Sequence, residues 1–213
     1  MGGAPATAGE PGAAGEPRVR MDPQARKELL LGAAREVFAE KGYAASGLAE
    51  IAERAHVNKR LLYYYYPDGR AELFTAVLRD LLAELTGVIR SAVSGPVNTA
   101  RRIERLVQAL IGFFEAQPDA FDILFRDPYG VREPEIVLEA VSVQVALAKE
   151  FSTLLAPSGI PTNTLLAVAY GNVAYVMKVI EMKVSGEIGS DDALDASMTC
   201  MLGIMSQVGM QTS

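Results

Sequence analysis

The sequence predicts an all-α protein, with an N-terminal three-helix unit containing a helix-turn-helix and a longer helical body behind it. Three observations lead there. Apolar residues recur at three-to-four spacing along most of the chain. Two short helix-sized runs flank a gap near Ala55-His56-Val57 that has room only for a turn. No segment shows a convincing strand alternation.

Each element has its own signals. Asp22-Pro23 opens the first helix, as an N-cap acceptor followed by proline in the first turn. Leu30, Ala33, Ala34, Val37 and Phe38 give that helix one apolar face, and Lys41-Gly42 ends it. Tyr43 follows, and a second helix opens near Ser46-Gly47, where Glu50 can close part of a capping box. Its buried stripe is Leu48, Ile51, Ala52 and Ala55. Asn58 caps a third helix, Lys59 to Tyr66, which Pro67 stops. Asp68 is expected to cap a fourth helix beginning near Arg70. Helices then follow from Arg70 to about Gly95-Pro96, Thr99 to Ala116, Asp119 to Arg126, Pro134 to Leu155, residues 162–184 and residues 191–210.

Composition bounds the function. The 213 residues are half hydrophobic and 22% charged, the mix of a soluble protein with a substantial core. One cysteine, Cys200, and one histidine, His56, leave neither an internal disulfide nor a metal cluster, and fit a reducing cytoplasm. With no Gly-rich phosphate loop and no nucleophile–base pair at usable spacing, the chain is expected to need no cofactor and not to be an enzyme. Residues 1–21, almost all Gly, Ala, Pro and Glu, read as a disordered tail. The most apolar stretch, Thr164 to Ile180, is interrupted by Asn172 and Lys178, so no membrane span is expected. The net charge of −6 is unevenly placed: residues 22–70 carry eight Lys/Arg against seven Asp/Glu, while residues 71–213 carry ten against seventeen. An anion-binding surface therefore belongs to the first segment.

In a helix-turn-helix the second short helix enters the major groove with its N-terminal residues at the base edges. Those residues are Asn58, Lys59, Arg60 and Leu61. Arginine reads guanine with two hydrogen bonds and lysine does so less specifically, while the free N–H groups of a helix start can meet a phosphate. The expected partner is a double-stranded DNA operator.

The run Gly42-Tyr43, Ser46-Gly47, Ile51-Ala52, Ala55-His56-Val57, Asn58, Leu62-Tyr63-Tyr64-Tyr65-Tyr66, Pro67-Asp68-Gly69 closely resembles the DNA-binding segment of the TetR family of bacterial regulators, without gaps over about 50 residues. The resemblance implies a DNA-binding domain at 22–69 and a ligand-binding and dimerisation domain at 70–213. It also implies that Tyr63, Tyr64 and Tyr65 reach backbone phosphates while Tyr66 is core. Three positions depart from the family. The second of its paired threonines is Gly47, leaving Ser46 to supply a hydroxyl. Its turn glycine is His56, which would need a positive φ. Its lysine at the start of the fourth helix is Gly69, making Arg70 the nearest phosphate-binding cation.

The body carries the remaining expectations. Residues 162–184 show two apolar stripes, Leu166, Tyr170, Val173, Met177, Ile180, Val184 and Leu165, Ala169, Asn172, Val176, Val179. A helix apolar on two sides packs on its own core and on a partner. With residues 191–210, and by the family's habit, it predicts a homodimer, which would match a two-fold operator. The family also keeps a cavity in the body, and Phe113, Phe114, Gln117, Phe121, Phe125, Gln144, Tyr170 and Tyr175 are its candidate lining for a small hydrophobic effector. The expected function is a ligand-responsive transcriptional regulator, a repressor that the effector releases from its operator. An activator is the same machine with the opposite sign. The competing reading is a helical ligand-binding protein or enzyme with a vestigial helix-turn-helix.

Overall fold

The structure, a computed structural model, describes residues 22–155 and 162–207. The expected tail at 1–21, the break at Pro157–Pro161 and the last residues of the final helix lie outside the described residues. Among those described, the chain forms α1 (Pro23–Ala45), α2 (Leu48–Arg54), α3 (Lys59–Tyr65), α4 (Arg70–Ala92), α5 (Thr99–Ala116) and α6 (Pro118–Phe121). One π-helical turn (Asp122–Arg126) and one 3-10 turn (Asp127–Gly130) follow, then α7 (Pro134–Leu155), α8 (Thr162–Val184) and α9 (Ser190–Gln207). No strand occurs among the described residues.

Two of the predicted caps form, at Asp22 and Asn58, and a third that sequence reading did not single out forms at Asn98. Asp22 accepts from the N–H groups of Gln24 (2.9 Å) and Ala25 (3.3 Å), Asn58 from Leu61 (2.9 Å), and Asn98 from Arg101 (2.9 Å). Two other predictions need correcting. Glu50 closes no capping box, because its carboxylate pairs with Lys41 at 2.6 Å across the α1–α2 corner. Asp68 does not cap α4. The N-cap is Gly69, at φ 76, and Glu72 accepts the Asp68 N–H instead. Gly42 breaks α1 as expected: its φ of 70 lies in the left-handed region, and one more helical turn follows it.

One core runs through both halves. Phe38 of α1 meets Phe74 of α4 edge-on with ring centres 4.9 Å apart, and Tyr43 packs on the same ring at 4.8 Å. Leu30, Val37, Ile51 and Leu62 close this core beneath the helix-turn-helix, each worth about 1.5–3 kcal/mol of apolar burial. α4 carries the core onward through Leu78, Leu81, Leu85 and Ile89, packing on α5 and α7. Behind them α8 packs on α7, α9 and α5. By length and composition Asn163–Val184 is apolar enough to span a membrane, with mean hydropathy 1.3, contrary to the sequence reading. Its inner side is buried here against α5, α7 and α9 through Ala169, Val173, Val176 and Ile180, as a core helix would be.

Candidate nucleic-acid interface

The candidate recognition face stands on α3. Leu62 and Tyr66 are buried and anchor the helix, so its remaining positions are turned outward at about 100° per residue. Asn58, Lys59 and Arg60 are exposed at the N-terminus and Leu61 is half-buried. Tyr63 is 46% exposed and Tyr64 77%, a high exposure for aromatic rings in a monomer. The Lys59 ammonium lies 5.8 Å from the centre of the Tyr63 ring, and Tyr64 and Tyr65 meet edge-on at 5.1 Å. This holds cations and hydroxyls on one surface with no acidic residue on α3 itself. The turn that aims α3 places His56 at φ 52, as its glycine-like position predicts.

Two expected contacts are turned elsewhere. Ser46 is 3% exposed and donates its hydroxyl to the carbonyls of Val37 (3.2 Å) and Gly42 (2.6 Å), so it braces the α1–α2 corner and offers no hydroxyl to a phosphate. Gly47 is the N-cap of α2, which it serves without a side-chain bond. Arg70 is occupied: it donates to the carbonyls of Ala44 (3.3 Å) and Ser46 (3.1 Å), lies 3.7 Å from Glu133, and covers the Tyr43 ring at 4.3 Å.

The body holds a groove of about 320 Å³ between the π-turn, α7 and α8. Four predicted residues line it, Phe121, Phe125, Gln144 and Tyr170, and four do not. Phe113 and Phe114 are buried, Phe114 forming a second layer behind Phe121 and Phe125 at 5.4 and 6.1 Å. Gln117 is turned toward α1, where it accepts from Arg35. Tyr175 faces α9 and donates to the Ala196 carbonyl at 3.3 Å. Sequence reading missed Arg126, Val173, Ala174, Met177, Lys178 and Glu181, which complete the groove. Tyr170, Val173, Ala174, Met177, Lys178 and Glu181 are spaced three and four apart and share one face of α8, a signal present in the sequence but hidden among two apolar stripes. At the mouth Glu181 accepts from Lys178 at 2.8 Å and pairs with Arg126 at 3.5 Å. These contacts, the Lys178 bond foremost, hold its carboxyl below the usual range.

The helix-turn-helix and the body are tied at one corner. Tyr43 donates its N–H to Asp127 (3.2 Å) and its hydroxyl to Glu133 (2.9 Å). Asp127 follows Arg126 of the groove wall directly, and burial raises its carboxyl above the usual range. Arg35 makes a second tie, from α1 to Asp119 at 2.9 Å.

An exposed cationic and tyrosine face on α3, joined to a groove-bearing helical body, is an arrangement suited to a DNA-binding transcriptional regulator. Comparison with known proteins agrees. Residues 30–77 match the family model for bacterial regulatory proteins of the TetR family. The transcriptional activator FasR of Mycolicibacterium smegmatis is 29% identical over 191 residues, 88% of this chain and 86% of its own. The transcriptional repressor SCO4008 of Streptomyces coelicolor is 33% identical over 111 residues, 51% of this chain and 54% of its own. A TetR-family regulator from Streptomyces coelicolor has the same fold, with TM-score 0.73 and 20% identity over 88% of this chain and 83% of its own. So does a TetR-like regulator from Rhodococcus sp. RHA1, with TM-score 0.70 and 22% identity over 89% of this chain and 100% of its own. Residues 30–77 thus carry the DNA-binding segment of TetR-family bacterial regulatory proteins, and the chain is similar over most of its length to DNA-binding transcriptional regulators.

Proposed function

We propose that the chain is a cytoplasmic homodimeric repressor that occupies an operator and leaves it when a small hydrophobic molecule fills the groove of the body. The observation that carries the reading is the exposed set Lys59, Arg60, Tyr63 and Tyr64 on a helix whose opposite side is locked into the core. Asn58, Lys59, Arg60 and Leu61 face the base edges, Tyr63, Tyr64 and Tyr65 the phosphates, and the segment 22–69 acts as the DNA-binding domain. Residues 70–213 act as the ligand-binding and dimerisation domain. Two copies pair through the exposed faces of α8 and α9, placing two recognition helices about one helical repeat, about 34 Å, apart.

The effector is apolar along Phe121, Phe125, Tyr170, Val173 and Met177, with Gln144 available to orient a polar atom. It acts by binding better to a conformation in which the recognition helices no longer match successive grooves. The tie from Arg126 through Asp127 to Tyr43 supports that coupling.

One observation favours the activator instead: FasR, similar over 88% of this chain, is named a transcriptional activator. The sign depends on where the operator lies, and the dimer bound to DNA is the same in both. A mobility shift against the gene's own upstream DNA tests the core of the reading. Wild type should give a salt-sensitive, sequence-specific shift that an Arg60→Ala, Tyr63→Phe double variant loses. A double variant that still shifts that DNA like wild type would remove α3 from the interface.

A further inference from the structure

Arg70 is held by the body where a DNA backbone would be its natural partner. Gly69, the residue before it, sits in the corner of the helix-turn-helix. A Cβ there would stand 3.4 Å from Leu48 of α2 and 3.6 Å from the Tyr63 ring of α3. The first helix of a helix-turn-helix crosses the phosphate backbone, and Arg70 stands at its start, donating to the Ser46 carbonyl. Its charge, however, faces Glu133 at 3.7 Å, a residue contributed by the segment that leads into α7. The Tyr43 hydroxyl steadies that carboxylate at 2.9 Å, and this bond, with the nearby Arg70 charge, keeps its carboxyl below the usual range. Glu133 is therefore charged at neutral pH.

We propose that Glu133 competes with the DNA backbone for Arg70, so that the body's own carboxylate occupies a guanidinium that would otherwise hold a phosphate. Carboxylate and phosphate are alternative partners of the same planar donor set. An intramolecular carboxylate is always at hand, whereas a phosphate must be brought. Glu133 acts only through Arg70, as a positioning residue that withholds one contact per chain. The inference rests on DNA binding by α2 and α3.

The test uses the full chain and a labelled duplex of about 20 bp of arbitrary sequence, because phosphate contacts do not depend on sequence. Dissociation constants are measured from about 25 to 200 mM salt for wild type, E133Q, R70Q, the E133Q/R70Q double variant and E135Q. The last neutralises an exposed carboxylate on the first turn of α7 and controls for lost negative charge. E133Q should bind roughly three- to tenfold tighter at the lowest salt, with the log–log salt slope steeper by about 0.9 per chain, one added phosphate. R70Q should keep the wild-type slope, and E133Q should add no slope in the R70Q background. A wild-type slope in E133Q, an equal gain from E135Q, or the same gain with Arg70 absent would overturn the competition while leaving DNA binding intact. Failure of every protein to bind the duplex would overturn the DNA-binding reading as well. The comparison of E133Q with E135Q decides the matter alone where R70Q does not fold.

Discussion

The Tyr66 hydroxyl is buried with no hydrogen-bond partner among the described residues, and burial, with Glu72 and Asp80 nearby, pushes its pKa from 10.0 up to about 12. An orphaned buried hydroxyl costs about 1–3 kcal/mol, so Tyr66→Phe should stabilise the protein by roughly 1 kcal/mol, read in denaturant melts. The pH dependence has a definite sign. As pH passes 10 the unfolded tyrosine ionises while the folded one holds its proton up to about 12, so stability falls across that window. Tyr66→Phe should flatten this decline; an unchanged alkaline profile would count against it. Asn58 is the opposite case, a polar side chain fully used. Asn58→Ala removes the bond to the Leu61 N–H and should cost about 1 kcal/mol, together with weaker operator binding because α3 frays at its reading end. Both roles were legible in the sequence, Tyr66 from its place in the motif and Asn58 from its place before the helix. The fates of Ser46 and Arg70 were not. Each has a donor suited to a phosphate, and only the nearby carbonyls and Glu133, brought in by folding, claim it first.

At the level of elements, periodicity placed the boundaries of α5 and α7 where they are found and those of α8 at the same residues, because long amphipathic runs with caps and flanking prolines leave little choice. The turn after α6 was read as helix through Arg126, yet it is a π-turn followed by a 3-10 turn. Nothing in a spacing of three to four distinguishes a helix whose bonds slip by one residue, although such turns gather at functional sites. This one forms the groove wall at Phe125 and Arg126 and the clasp at Asp127. The break in α1 is the matching half of that clasp. A Cβ on Gly42 would lie 3.4 Å from an Asp127 carboxylate oxygen, at a φ of 70. Gly42→Ala should therefore lower stability by about 1–2 kcal/mol in thermal or denaturant melts. It should also weaken the bond between Asp127 and the Tyr43 N–H, which amide hydrogen exchange at Tyr43 would register. Slow, wild-type exchange there would show that the clasp tolerates a side chain.

Across the whole molecule, assembly turns on the exposed side of α8. Leu166 remains 41% exposed beside exposed Ala167 and Gly171, so α8 keeps an apolar strip outside both the groove and the Tyr175 contact with α9. A second copy is the partner that two-fold operators call for. Gly171→Arg places a charge in the middle of that face and should halve the mass seen by light scattering, with loss of the operator shift. A variant of undiminished mass would move the interface elsewhere. Wild-type melting temperature should also rise with protein concentration, as association requires.

By itself the sequence determined the all-α class, the helix-turn-helix with its TetR-like motif and the outward residues of α3, because these depend on short-range spacing, caps and turns that each segment carries within itself. Which residues meet at the groove, which cations stay free for DNA and which are held by the body were decided only by tertiary structure. Arg70 and Glu133, Tyr43 and Asp127, and Phe125 and Tyr170 are far apart along the chain. Their meeting follows from how α1, α4, α7 and α8 share one core, and no local pattern encodes that.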